Sequence, residues 1–205
     1  MAINPPGEAP GIVPPVQQQA PPSAVYVSFS AEINSHTTEA LLGVCADLAN
    51  KRTPVVYLML STPGGNVMNG LTIHNFLRSM PFKLVTHNIG NVDSIGNVVF
   101  LAGEERYSCR NATFMFHGVG FDIMAPMRFE EKLLRERMDS VQADQKRIAD
   151  VIVERTSIKP DEVAKMFLEA VTRDPHYAKA NGIVHDIRDV KVPAGAPILQ
   201  LVFKR

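Results

Sequence analysis

The chain has 205 residues and a mass of 22.5 kDa, which fits one domain because a single core grows to roughly 250 residues before chains split. Its 21 basic and 21 acidic residues give a net charge of zero, without the basic excess of a nucleic-acid-binding protein. We find no apolar run of about 18 residues to span a membrane and no signal peptide at the start. Two distant cysteines, Cys45 and Cys109, favour neither a disulfide nor a zinc site, so we expect a cytoplasmic protein.

Residues 1–24 form a proline-rich leader with seven prolines and a run of three glutamines. Such a stretch has little apolar surface to bury, so we expect it to be disordered or extended. An alternative is that it orders against a partner subunit. Residues 25–205 are then predicted to form a single domain.

From residue 25 to residue 116, apolar runs typical of strands alternate with helical patterns. This alternation predicts βαβ units and a largely parallel sheet with right-handed crossovers. The run at 55–60 is continuously apolar, as expected for a strand buried on both faces. The predicted strands are 25–29, 55–60, 82–86, 106–109 and 112–116, and the predicted helices start near 35 and span 67–80 and 95–102.

The second part of the chain is dominated by one long amphipathic helix, predicted at 128–155. Its apolar residues recur at spacings of three, four and seven: Leu134, Met138, Val141, Ile148 and Ile152. Because a helix of roughly 40 Å is too long to pack wholly on a small sheet, part of it should project and meet another subunit. A helix from 160, a break at 173–175, a core strand at 183–187 and a strand-like tail at 198–203 follow.

Ser94 is the candidate nucleophile. It lies between Gly90 and Gly96, on a predicted strand-to-helix turn, where free N–H groups and the helix dipole favour a developing negative charge. A serine needs such donors and a base before it can attack a carbonyl. The alternative is that Ser94 only caps the helix.

The pair Gly64 and Gly65 strengthens the nucleophile interpretation. Two glycines after a buried strand allow a sharp turn with exposed amides, at the same sheet edge as Ser94. The backbone N–H groups of Gly65 and Ile95 could then form an oxyanion hole. A phosphate-binding loop is disfavoured because the glycine patterns of nucleotide sites are missing from the sequence.

Of six histidines, His117 is the best candidate base, because it ends an apolar strand and precedes Gly118. A packed or surface histidine is the alternative. A catalytic histidine needs an acceptor that fixes its tautomer. Asp174, in the predicted break, is the first candidate for that acceptor, and Asp122 is the alternative.

Four pieces taken in order resemble the ClpP family, the proteolytic subunits of Clp proteases. They are Thr62-Pro63-Gly64-Gly65, Gly90-x-x-x-Ser94-x-Gly96, Met115-Phe116-His117 and Thr172-Arg173-Asp174. The resemblance implies an α/β fold, a ClpP/crotonase-like core of repeated βαβ units with a projecting helical handle at about 122–155.

The resemblance also implies a serine endopeptidase with Ser94 as nucleophile, His117 as base, Asp174 as orienter, and the amides of Gly65 and Ile95 as oxyanion hole. Peptides or unfolded proteins would bind as an added strand beside Asn66, Val67, Met68, Gly118 and Val119. It implies a homo-oligomer of two stacked heptameric rings enclosing a chamber, a possible ring ATPase unfoldase as partner, and chemistry without metal or organic cofactor.

The sequence departs from the family pattern at Asp93, where the family has a small apolar residue, and in the leader, where the family's ATPase-contacting segment is not recognisable. These departures raise an alternative, a weakly active or inactive ring subunit with a structural or regulatory role. A crotonase-type acyl-CoA enzyme is a further alternative on the same fold, disfavoured by the serine, histidine and aspartate in order.

Overall fold

A computed structural model describes residues 23–121, 128 and 130–203. The prediction of a disordered leader therefore concerns residues that lie almost wholly outside the described ranges. The predicted handle is described from residue 130 onward, and at residue 128.

The centre of the molecule is an eight-stranded sheet in the order β6-β5-β3-β2-β1-β8, with β4 and β7 extending from β3. Every strand pair is parallel except β5 with β6, which is antiparallel. The predicted βαβ organisation is thus confirmed. The strands are β1 (Val25–Ser30), β2 (Val55–Thr62), β3 (Lys83–Asp93), β4 (Glu105–Ser108), β5 (Thr113–Phe116), β6 (Val171–Arg173), β7 (Asp186–Ile187) and β8 (Ile198–Leu201).

Six helices accompany the sheet in the described part of the chain. The first begins with a capping box, in which Asn34 and Thr37 satisfy each other's backbone N–H groups. The second begins at Asn66, whose side chain accepts from the N–H of Asn69. The helices are α1 (Ser35–Asn50), α2 (Val67–Ser79), α3 (Gly96–Phe100), α4 (Glu131–Arg155), α5 (Pro160–Glu169) and α6 (Pro175–Ala180).

Strand β2 is buried on one face, which corrects the prediction of a strand buried on both. Val56, Leu58 and Leu60 are at most 1% exposed and join the main core, whereas the residues between them are half-buried. Leu41 of α1 and Ile73 of α2 belong to the same core. The helices therefore cover that face, and a continuously apolar run did not reveal the difference between the two faces.

Two predicted turns are strands in the structure. Strand β3 runs to Asp93, so Gly90 lies within the strand and the turn begins only at Ser94. The predicted break at 173–175 is the end of β6 followed directly by α6. Conversely, the predicted strand at 183–187 is reduced to Asp186–Ile187.

The long helix α4 packs into the core near its carboxyl end. Ile148 and Ile152 are its buried residues, and Leu134 and Met138 on earlier turns are about half exposed. The guanidinium of Arg155 donates to the carbonyls of Leu101 and Gly103. The carboxyl end of α4 therefore packs on the domain, while its first turns carry an exposed apolar stripe.

Arg106 joins the carboxyl end of α4 to neighbouring loops. Its guanidinium is buried and donates to the carbonyl oxygens of Gly103, Arg155, Gly182 and Ile183. Burial lowers the pKa of Arg106 to about 10, so the group stays charged at neutral pH. Carbonyl dipoles compensate this charge.

Both cysteines are free thiols, and burial raises the pKa of Cys45 to about 12. None of the helices in the described ranges combines the length and the apolar character that crossing a bilayer requires.

Candidate active site

Ser94 stands at the point where β3 ends. Its φ of +57° is a left-handed conformation that non-glycine residues adopt rarely and that concentrates at functional sites. The turn is held by the Ser94 N–H, which donates to Met115 O at 2.8 Å, and by the Asn97 side chain, which donates to both Ser94 O and Met115 O. Helix α3 begins after Ile95 without a side-chain cap. The alternative of Ser94 as a helix cap is therefore not supported.

The double glycine lies directly against this turn. Gly64 and Gly65 have φ values of +89° and +142°. A Cβ on Gly64 would lie 2.6 Å from Ser94 Cβ, and a Cβ on Gly65 would lie 2.2 Å from Ile33 O. Ile33 also holds the loop through two backbone bonds, donating to Gly64 O at 2.7 Å and accepting from the Asn66 N–H at 2.8 Å. Only glycines allow this close approach.

A cavity of about 220 Å³ opens beside Ser94. The structure brings Ser94, His117, Gly65 and Ile95 to its wall together. His117 follows β5 directly and its side chain is exposed. Over the described residues the wall contains no acidic side chain, and it is otherwise apolar or glycine: Val67, Phe116, Gly118, Val119, Gly120, Ile148, Ile152 and Phe167.

A second groove, of about 600 Å³, continues from the cavity and shares Gly65, Val67, Val119 and Gly120 with it. The predicted substrate-binding residues divide between the two spaces. Gly118 borders the cavity, Asn66 and Met68 border the groove, and Val67 and Val119 border both. An extended chain placed along these residues would pass the Ser94 side chain.

The structure does not bring Asp174 to this cavity. Its carboxylate oxygen Oδ1 accepts from the Tyr177 N–H at 2.7 Å, so Asp174 is the N-cap of α6. It follows the end of β6 that lies beside the start of β5, whereas His117 follows the end of β5. The other candidate orienter, Asp122, lies outside the described residues.

Asp93, next to Ser94, has a hydrogen-bond partner of its own. Asn91 Nδ2 donates to Asp93 Oδ2 at 2.6 Å and to Thr62 O at 3.1 Å, while Ser61 Oγ donates to Asn91 Oδ1 at 2.9 Å. This network joins β2 to β3 where their register shifts, between Leu60 and Thr62. The Asp93 carboxylate therefore braces the strands and is not among the groups that line the cavity.

Sequence reasoning missed several residues of the site. Asn97, which is 1% exposed and links the Ser94 turn to β5, resembles any helical asparagine in the sequence. The apolar wall was visible only as core: Ile148 and Ile152 belong to the stripe that predicted α4. Their part in a cavity follows from the way α4 packs against α5 and α3, which the stripe alone does not specify.

Another histidine, His87, has a perturbed environment away from the cavity. It is completely buried in β3, and its ring nitrogens meet Tyr57 Oη at 2.6 Å and Arg188 O at 2.9 Å. Burial lowers its pKa to about 4, so the ring is neutral at physiological pH.

Within the described ranges, no cluster of three or more potential metal ligands occurs.

Comparisons with known proteins agree on one family. A profile described as "Clp protease" matches residues 23–191. The proteolytic subunit 2 of an ATP-dependent Clp protease from Pseudomonas aeruginosa is 25% identical over 152 residues, which cover 71% of this chain and 74% of that protein. Subunit 1 from Leifsonia xyli subsp. xyli is 28% identical over 136 residues, or 63% of this chain and 64% of its relative.

The fold comparison points the same way. A ClpP1 mutant from Listeria monocytogenes superposes with a TM-score of 0.73, covering 81% of this chain and 92% of the other, at 22% sequence identity. This likeness confirms the predicted ClpP-like α/β fold. Because the family profile covers most of the described chain, the protein belongs to the Clp protease family.

Proposed function

We propose that the protein is a serine endopeptidase of the ClpP type, acting on peptides or unfolded proteins. The observation that carries this proposal is the convergence of Ser94, His117, Gly65 and Ile95 on one cavity. These residues supply the three parts that acyl transfer needs, namely a nucleophile, a base and backbone N–H donors.

In the proposed reaction, Ser94 Oγ attacks the scissile carbonyl carbon while His117 accepts the hydroxyl proton. The N–H groups of Gly65 and Ile95 stabilise the negative charge on the carbonyl oxygen. His117 then gives its proton to the leaving amine, and a water molecule hydrolyses the acyl-enzyme by the reverse sequence. The orienting role predicted for Asp174 requires its carboxylate to leave the cap of α6.

The apolar wall of the cavity supports a peptide substrate, because it can receive a side chain while the main chain lies along the neighbouring glycines. The groove beside Asn66 and Met68 would accept further residues of an extended peptide. The chemistry needs no metal or organic cofactor.

The proposal includes assembly into a homo-oligomer of stacked heptameric rings, with a ring ATPase as possible partner and the cytoplasm as compartment. Support comes from Leu134 and Met138, which are 49% and 56% exposed and lie one turn apart on α4. An exposed apolar stripe on a projecting helix is typical of a subunit contact. Light scattering at micromolar concentration tests this part, and a monomer would contradict it.

Labelling with a fluorophosphonate tests the peptidase proposal. We expect the assembled protein to gain one phosphonyl group on Ser94, measured by intact mass and peptide mapping. The Ser94→Ala variant should gain none. Ser79→Ala, which removes an exposed hydroxyl on the last turn of α2, is the matched control and should be labelled as the parent protein is. Folded protein that is not modified at Ser94 would refute the proposal.

A further inference from the structure

The chain that runs past His117 is fixed by two contacts. Phe116 pairs with Val171 in the antiparallel ladder of β5 and β6. One residue beyond His117, the Gly118 N–H donates to Phe167 O at 2.9 Å. Residues 168–170 therefore pass beside His117.

The register identifies which residue is opposite. The last pair of the ladder is Phe116 with Val171, so Ala170 is the next residue on the facing chain, where its left-handed backbone turns the chain from α5 into β6. Opposite residues in the ladder have Cβ atoms about 4.5–5.5 Å apart, so the residues that directly follow and precede the last pair, His117 and Ala170, lie near each other. A short carboxylate at position 170 would reach the imidazole of His117.

Asp174 is four residues further along, which is roughly 13 Å at about 3.3 Å per residue. The same register sets it beside Thr113, at the opposite end of β5 from His117. Its carboxylate is also engaged at the start of α6, 2.7 Å from the Tyr177 N–H. In this arrangement Asp174 does not orient the base.

The backbone at Ala170 suits an acidic residue. Its φ of +53° and ψ of +71° are left-handed, a conformation that Asp and Asn adopt more readily than other non-glycine residues. The side chain is exposed, so a carboxylate there would remain hydrated until it meets the ring. Glu169, its neighbour, ends α5 and is one residue further from the last ladder pair.

Building on the proposed peptidase function, we propose that residue 170 is the position that orients His117, and that its alanine leaves this chain with a Ser94–His117 pair that works slowly. A carboxylate facing the imidazole would fix its tautomer and stabilise the imidazolium that forms during attack. Without one, both tasks fall to solvent. The proposal therefore attributes slow turnover to the side chain at position 170 alone.

The test compares Ala170→Asp with two matched variants, using the second-order rate of Ser94 phosphonylation and hydrolysis of a fluorogenic peptide. We expect Ala170→Asp to raise both rates about tenfold or more. Ala170→Asn, which keeps the backbone preference without the charge, should change them less than about threefold. Thr172→Asp, which adds the same charge opposite Met115, should leave them unchanged.

A pH profile gives a second readout. In Ala170→Asp the apparent pKa of the acid limb should rise, because a nearby carboxylate favours the protonated imidazole. Asn at position 170 should not produce this shift.

Two outcomes would overturn the inference. One is an Ala170→Asp protein that is folded by circular dichroism and labels no faster than the parent. The other is a tenfold loss of labelling in folded Glu169→Gln or Asp174→Ser, since either would show that a resident acid already orients His117. A parent protein without any Ser94 labelling would instead refute the proposed function, so the two failures are distinguishable.

Discussion

The two halves of the candidate site are built differently. On one side, hydrogen bonds of 2.8–3.1 Å from the Ser94 N–H and the Asn97 side chain hold the Ser94 turn on strand β5, and Gly64 packs so closely that an added Cβ would overlap Ser94 Cβ. On the other side, His117 is exposed beyond the last residue of a four-residue strand, next to a three-residue strand. The position of Ser94 is fixed by several contacts at once, whereas the position of His117 depends on a short edge of the sheet.

This difference indicates where each half can be altered. Substitutions around Ser94 should break packing and activity together, because the backbone segments are in van der Waals contact. Substitutions around His117 should alter rate with little change in stability, because that region is hydrated.

The largest effect is expected for Gly65→Ala. A Cβ at this position would overlap Ile33 O at 2.2 Å and force a side chain into a φ of +142°. We expect Ser94 labelling to fall at least about a hundredfold and the free energy of unfolding to fall by about 3 kcal/mol or more. Labelling kinetics and urea denaturation measure these two changes.

Gly43→Ala is the matched control, because a Cβ at Gly43 in α1 meets no atom within 4 Å. It should leave labelling unchanged and stabilise the protein by about 0.5–1 kcal/mol, since alanine is the better helix former. Equal behaviour of the two variants would contradict the tight packing described for the glycine loop.

The next effect concerns pH and a group remote from the cavity. The pKa of His87 is lowered to about 4 from an ordinary 6.5, because burial disfavours the charged ring, and this effect outweighs the hydrogen bond to the Arg188 carbonyl, which raises the pKa. The unfolded chain therefore takes up a proton before the folded protein does. The contribution of His87 to the free energy of unfolding should be fully present above pH 6.5. It should be lost as the pH falls towards 4, which lowers the free energy of unfolding by up to about 3 kcal/mol.

Urea denaturation of His87→Gln at pH 7.5 and pH 4.5 checks this assignment. The variant should be less stable at neutral pH but lose less stability on acidification than the parent. His36→Gln, an exposed change on α1, should keep the parental pH slope. A His87→Gln protein with that same slope would show that other groups carry the effect.

The smallest effect is expected for Asp174, the N-cap of α6. Asp174→Ala removes the N-cap of α6 and should cost about 1 kcal/mol of unfolding free energy, which a small shift in denaturation midpoint would report. Asp174→Ser should recover most of this loss, because serine caps nearly as well. A change in Ser94 labelling that exceeds the change in folded fraction would assign Asp174 a role at His117.

The sequence predicted the order of strands and helices because buried runs and glycine turns are local signals. It predicted Ser94, Gly65, Ile95 and His117 as neighbours because each follows a parallel strand, and such strands end at one edge of a sheet. Asp174 could not be placed in this way. Its position depends on the register of an antiparallel pair, β5 with β6, that closes over more than fifty residues and leaves no local pattern.

The turn at Ser94 shows a second limit of sequence patterns. Gly90 and Gly96 suggested a loop between them, but β3 continues to Asp93 because Asn91 and Ser61 bridge it to β2. Side-chain networks of this kind join residues thirty positions apart. Neither periodicity nor turn propensity reveals them.

Because α4 is held near its carboxyl end, a small tilt there would move its other end by a larger distance. Its last two turns are fixed by Ile152, Arg155 and the carbonyl cluster of Arg106, and its other end stands about 37 Å away at 1.5 Å per residue. A tilt of about 5° at the fulcrum would displace the far end by about 3 Å over that length. Because Ile148 and Ile152 also line the cavity, the same rotation would move the cavity wall beside Ser94. A tilt that moves the far end of α4 would therefore also move the cavity wall, by a smaller distance.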